Sequence, residues 1–420
     1  MSSGSENARS KVYVDYVAML NHLAKKGRDE SLNAAPFYKK AAELYVEMPA
    51  GIEKEALRKW PSQLTNKEHD LLKQWVKSNA NALVQLEYGT HKPYYWNQYA
   101  IRSVWSADTL PYLPTLKFLI YASLFQGKQS VMEKGISIES VDSFFVCIRF
   151  GLHLTQAPTL TEQLVGETVM DFTVQELFLC VAKMDIDRTA LDLLESRLRD
   201  QFSKIHKQQL NLEVEKFQHL EVVQMVFQGM EENSMLTAES EMFLASRGAR
   251  YEYIETLTRS KTMRDIEAAF TYCKEFLTLS PWQMKEKGFN FWEDLHKKTG
   301  KNPLVELHMF NVPAVARARA HRGANRDAFI IALALLRYRH DRGRLPKDLH
   351  ELLSDDYLPQ LPMDPYSDGP LIYKKMGGDF LLYSLGEDFD DDSGKHGRWG
   401  WNEKDGDYVF WPVQMESAEK

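Results

Sequence analysis

The chain is poor in the residues that build simple local sites. Its 420 residues include three cysteines, Cys147, Cys180 and Cys273, each within an apolar helical stretch. No CxxC pair occurs, which excludes a zinc ribbon and a disulfide framework and leaves buried, inert thiols as the expectation. Nowhere do eighteen consecutive apolar residues occur, so no membrane-spanning segment is expected. The N-terminus, Met1-Ser-Ser-Gly-Ser-Glu-Asn7, lacks the basic and apolar run of a signal peptide. The same Ser/Gly stretch would suit a cloning remnant in place of a removed anchor. The first alternative leaves the protein in the cytoplasm and the second in the cell envelope, facing the periplasm. With 52 Lys and Arg against 59 Asp and Glu, the net charge of -7 predicts no nucleic-acid partner. Two basic clusters, Arg317 to Arg322 and Arg337 to Arg344, read equally well as solvated helix faces or as binding patches.

Catalytic signatures are missing as well. HExxH, P-loop and GxSxG sequences are absent, and no Ser-x-x-Lys stands where a penicillin-binding motif needs it. Asp185 and Asp187 face away from each other at a helix boundary. Glu215 and His219 stand at i and i+4 with Glu213 and Glu221 nearby, but a metal would need two more ligands at usable spacing. Asn211 to His219 is therefore expected to be a solvated helix face carrying ion pairs.

What is present is mostly helix. Tyr13, Tyr16, Val17, Leu20 and Leu23 recur at three and four residues and form one apolar stripe. Asn33-Ala-Ala-Pro36 opens a second helix with proline in its tolerated first turn, and Thr65-Asn-Lys-Glu68 is a capping box. No 34-residue period returns, which argues against tetratricopeptide repeats. His91-Lys-Pro-Tyr-Tyr-Trp-Asn97 is an aromatic break that serves either as a ligand platform or, more commonly, as packing. Val141 to Lys183 is apolar over most of two helical circumferences, interrupted by Pro158 and a second capping box, Thr159-Leu-Thr-Glu162. It predicts a buried antiparallel hairpin. Leu191 to Phe227 reads as further helix, 228–262 as a long connection with partial helix, and Arg264 to Leu279 as helix.

From Asp327 the pattern changes. Asp327 suits an N-cap for a helix over Ala328 to His340, stopped by Gly343 and Pro346. Leu371-Ile-Tyr373 and Phe380-Leu-Leu-Tyr383, divided by Gly377-Gly378-Asp379, predict a hairpin, with Tyr408 to Trp411 as a last strand. The fold class is therefore α+β: a large helical domain, then a helix with a small antiparallel sheet. Between the last two strands lies Glu387-Asp-Phe-Asp-Asp-Asp-Ser-Gly394, with five acidic side chains in six residues. It is not an EF-hand, because Ser393 and Trp399 occupy the positions that need Gly and a bidentate Glu. Such like-charge crowding is relieved by a divalent cation. Asp388, Asp390, Asp391 and Asp392 are the candidate calcium ligands, with Asp405 and Asp407 placed to close the site.

Leu361-Pro-Met-Asp-Pro-Tyr366, together with Phe380-Leu-Leu-Tyr-Ser-Leu-Gly-Glu-Asp388, resembles the "LP-x-DP" and "LYSLGAD" runs of the type II secretion major pseudopilins. The resemblance implies a small sheet packed on a helix end and a calcium-binding loop in which Asp388 matches the aspartate of "SLGAD". Asp390, Asp391 and Asp392 match later acidic ligands only by position. Pseudopilins begin with a peptidase signal and an apolar helix, whereas here the matching helix follows a large helical region, which argues against filament assembly. Including Gln156 to Gly166, the whole chain is similar to large proteins of planctomycete-type bacteria that pair a helical region with a pseudopilin-like tail. That likeness implies architecture and no activity.

The expected organisation is residues 1–9 as a disordered leader or remnant, 10–325 as a helical domain, 326–415 as a pseudopilin-like α+β domain and 416–420 as a tail. The expected function is a non-enzymatic, envelope-associated binding or scaffold protein with a protein partner and a calcium-stabilised module. The alternatives are an enzyme with a pocket at the aromatic loop 91–99 and an accessory component of a secretion apparatus.

Overall fold

The computed structural model describes residues 14–100, 111–203, 212–229, 231–309, 311–397 and 406–413. Tyr13, Trp399 and Asp405 lie outside the described residues. The described chain is mostly helical with one small antiparallel sheet, which is the expected α+β class.

The N-terminal helices start where their capping residues stand. Helix α1 (Tyr16–Lys25) is capped by the Asp15 carboxylate, which accepts from the Ala18 N–H. Helix α2 (Ala35–Glu43) carries Pro36 in its first turn. Helix α3 (Asn66–Ser78) opens on the full capping box: Thr65 Oγ1 accepts from the Glu68 N–H at 3.2 Å, and Glu68 Oε2 accepts from the Thr65 N–H at 2.8 Å. Helix α4 (Ala80–Thr90) follows at once and leads into the aromatic loop.

The main core is built on α5 (Leu113–Lys134), α6 (Ile138–Thr155), α7 (Leu160–Lys183) and α8 (Arg188–Phe202). As the all-round apolar pattern predicts, α6 and α7 form a buried antiparallel pair. They cross at two glycines: a Cβ on Gly166 would lie 2.6 Å from the Gly151 carbonyl oxygen. An ion pair is sealed into this core, with Lys128 fully buried 3.0 Å from Glu176 and donating to the carbonyls of Arg58 and Lys59. These extra acceptors satisfy the ammonium's remaining donors, the condition under which a buried pair is tolerated.

A second core gathers α9 (Glu213–Val226), α10 (Ala238–Ser246), α11 (Tyr251–Ile254), α12 (Arg259–Phe276), α13 (Pro281–Glu286), α14 (Phe291–Thr299) and α15 (Pro303–Met309). Residues 228–262, expected to be largely a connection, thus contain α10 and α11. The Thr237 hydroxyl caps α10 by accepting from the Ser240 N–H.

Helix α16 (Asn311–Arg342) belongs to both cores. Val312 and Val315 pack in the second core, and Ala328, Phe329, Ile331 and Leu335 pack in the first. It begins seventeen residues before the expected start at Ala328. Asp327 is not an N-cap but a mid-helix residue whose carboxylate accepts from Arg326 Nε at 2.7 Å. The boundary expected at 325/326 falls inside this helix. After the short α17 (His350–Ser354), strands β1 (Ile372–Met376), β2 (Asp379–Ser384) and β3 (Tyr408–Trp411) form an antiparallel sheet in the order β1-β2-β3. Met376 pairs with Asp379 around a two-residue turn in which Gly377 takes φ 60°. Phe380, Leu382, Phe410 and Trp411 enter the same core as Phe178 and Phe329.

Candidate metal centre

The acidic loop is fixed at both ends before any ligand is considered. At its start, Asp364 of the Leu-Pro-Met-Asp-Pro run is 2% exposed. Its carboxylate accepts from the N–H groups of Tyr366 and Leu385 and from Ser384 Oγ at 2.8 Å. At its end, residues 394–397 fold back onto the approach to β3, with the Asp407 N–H donating to the Lys395 carbonyl and the Gly397 N–H to the Asp407 carbonyl. Gly386 takes φ 77° and lies against the Gly406 carbonyl, where a Cβ would sit 2.8 Å away, so only glycine fits. Asp364 has no separate motif assignment, yet its place in the "LP-x-DP" run is the signal that could have found it.

Within this frame Asp388, Asp390 and Asp392 converge, each with an oxygen within 4.8 Å of the others. Asp388 Oδ2 accepts from the Gly406 N–H at 2.7 Å, which aims its other oxygen along the loop. Burial, and then the neighbouring Asp390 charge, raise the Asp388 pKa above the usual carboxylate range. Asp391 is not part of the trio. Its Oδ1 accepts from the Tyr383 hydroxyl and the Ser393 N–H, both at 2.8 Å, and Lys374 Nζ lies 4.0 Å away. Glu387 is also turned elsewhere: its Oε1 lies 3.0 Å from His321 Nε2 and 3.3 Å from Arg317 Nε on α16.

Asp407 is fully buried beside the loop. Its Oδ2 accepts from the Gly394 N–H at 2.6 Å, while Oδ1 has no hydrogen-bond partner. Burial first, and the Asp391 and Asp392 carboxylates second, push its pKa up to about 6. The buried Asp392 Oδ2 is likewise without a partner. A buried acceptor without a donor is costly, and a cation removes that cost. The donor set is all oxygen, which suits a hard cation such as Ca²⁺ and not Zn²⁺. Asp388, Asp390 and Asp392 would hold it; Asp407, expected to close the site, lies outside this cluster.

The other sequence candidates are built into the protein interior. Tyr95, Trp96 and Tyr99 of the aromatic loop are 1%, 6% and 2% exposed. The side-chain amides of Asn33 and Asn21 bond both backbone groups of Trp96 and Tyr99. The hydroxyls of Tyr95 and Tyr99 donate to Glu162, the capping glutamate of α7, at 2.8 and 3.0 Å. His153 Nε2 faces the Lys92 carbonyl at 2.9 Å and so carries the ring proton, and the Tyr38 hydroxyl donates to Nδ1 at 2.6 Å. The loop is packing. The face expected to be solvated around Glu215 and His219 is buried, at 8% and 2% exposed. Glu215 caps a different helix, accepting from the Leu160 N–H at 3.0 Å, and His219 Nδ1 bonds the Glu215 carbonyl oxygen at 2.8 Å.

No helix among the described residues is long and apolar enough to cross a membrane. In comparisons with known proteins, no family model, no curated protein and no solved structure matches this chain.

Proposed function

We propose that the protein is a non-enzymatic binding or scaffold protein whose C-terminal module, similar to the globular part of the type II secretion major pseudopilins, is stabilised by calcium. The observation that carries this reading is the convergence of Asp388, Asp390 and Asp392, with the buried Asp392 Oδ2 lacking a hydrogen-bond partner. Three carboxylates within 4.8 Å of one another repel. A divalent cation reverses the sign of that interaction. The module is a rigid support and the helical region supplies the surface for a protein partner; the resemblance sets both in the cell envelope.

The test is a melting curve with calcium and with chelator. Calcium at a hundredfold excess over its Kd adds about 2.7 kcal/mol, which raises Tm by a few degrees. Replacing both Asp390→Asn and Asp392→Asn should abolish the response and raise the metal-free Tm, because repulsion is removed. A Tm indifferent to calcium overturns the reading.

A further inference from the structure

We propose that a cleft between the α12–α13 turn and α16 binds a compact oxyanion, a carboxylate or a phosphate monoester, carried on a short apolar body. The cleft has a volume of about 300 Å³, at the lower end of small-ligand sites. Arg319, Arg322 and Arg326 line it, spaced three and four residues apart on α16 and therefore on one face of the helix. Arg319 and Arg322 share Glu167 of α7, with the buried Asp171 carboxylate also within the field of Arg322, while Arg326 turns its Nε to Asp327. Arg322 is 5% exposed, and its Nη1 has no hydrogen-bond partner. Arg319, with its side chain 31% exposed against 6% and 11% for Arg322 and Arg326, is the arginine that a ligand reaches, and its planar fork matches the oxygens of a carboxylate or phosphate.

The shape of the cleft agrees with that chemistry. Gly323 lies among the three arginines, and a Cβ built there meets nothing within 4 Å. Glycine is otherwise unfavourable within a helix, and here its missing side chain leaves the floor open. Leu279, Pro281, Ala316 and Pro365 supply apolar wall for the body of the ligand. The Trp282 N–H donates to the Pro365 carbonyl at 3.0 Å and joins the α13 wall to the "LP-x-DP" loop. The cleft thus stands where the second core, α16 and the C-terminal module meet, and none of its lining residues belongs to the acidic loop.

Calorimetric titration of the full chain with inorganic phosphate, phenyl phosphate and benzoate tests the proposal. At least one of the two aromatic anions should bind more tightly than inorganic phosphate, and whichever of the two wins identifies the headgroup. Arg319→Gln removes a donor, and Gly323→Leu fills the cleft while leaving every charge in place. Each should weaken binding by about tenfold or more, the effect of losing one charge-assisted hydrogen bond or the space for the ligand. Helical circular dichroism matching the wild type shows that the loss is local. Absence of binding by all three anions overturns the proposal, as does binding that neither substitution weakens.

Discussion

At Glu215 a carboxylate lies buried where helical spacing alone predicts a charged, solvated face. Its neighbours Glu213, Lys216 and Glu221 make the segment look like surface, and nothing in the pattern tells which acid caps a distant helix. Burial drives the Glu215 pKa from 4.5 up to about 7, with the nearby Glu162 carboxylate adding to the rise. Between those values the folded protein keeps a proton that the unfolded chain has released. The stabilising contribution is therefore complete below pH 4.5 and is lost as the pH climbs through about 7. Glu215→Gln keeps an acceptor for the Leu160 N–H and does not ionise. Denaturant unfolding at pH 4.5 and at pH 7.5 should show the variant gaining about 3 kcal/mol relative to wild type across that interval. A difference independent of pH would show that Glu215 is solvated after all. The acidic loop was more legible, because its residues are adjacent in sequence. Even there, Asp391 was separable from Asp388, Asp390 and Asp392 only once its bonds to Tyr383 and Ser393 were seen.

Among the elements, the α6–α7 hairpin was the easiest to read and α16 the hardest, for the same physical reason. The hairpin is apolar around most of its circumference and is bounded by a proline and a cap, so its periodicity and limits are explicit. The first half of α16 buries guanidiniums against Glu167 of α7 in place of aliphatic side chains, so its polar residues hide the 3.6-residue period. Glycine separates the two cases experimentally. In α7 a Cβ on Gly166 would lie 2.6 Å from the Gly151 carbonyl oxygen and 2.7 Å from the Thr155 amide nitrogen, backbone atoms that cannot move aside. Gly166→Ala should destabilise by about 1–3 kcal/mol despite the better helix propensity of alanine. In α16 nothing lies near a Cβ on Gly323, and Gly323→Ala should stabilise by up to about 1 kcal/mol. Urea midpoints of the two variants on opposite sides of wild type are the expected result. Two shifts in the same direction would contradict the close crossing of α6 and α7.

For the molecule as a whole, the order of elements could be read but their docking could not. Alternation marks Phe380 and Leu382 as one buried face of β2, yet says nothing about the surface that buries them together with the adjacent Phe410 and Trp411 of β3. That surface is the helical region itself: Phe178 of α7 lies 4.6 Å from Phe329 and 6.4 Å from Phe410, ring centre to ring centre. Trp411 stacks on Phe380 at 5.1 Å. Because α16 runs unbroken through 325/326 and its Phe329 belongs to the same cluster, the C-terminal module has no separate core among the described residues. Unfolding should therefore be cooperative across both parts. Far-UV dichroism, which follows the helices, and near-UV dichroism, which follows the stacked aromatics of the sheet, should give coincident transitions. Residues 326–415 produced alone should lack both signals. Phe178→Ala supplies the sharper form of the test. Opening a cavity at that ring should cost about 3–5 kcal/mol, and it should shift both transitions by the same amount, although Phe178 lies outside the C-terminal module. Calcium should likewise move both transitions together. Two separated transitions, with only the near-UV signal shifted by calcium, would show instead that the sheet and its acidic loop fold as an independent unit.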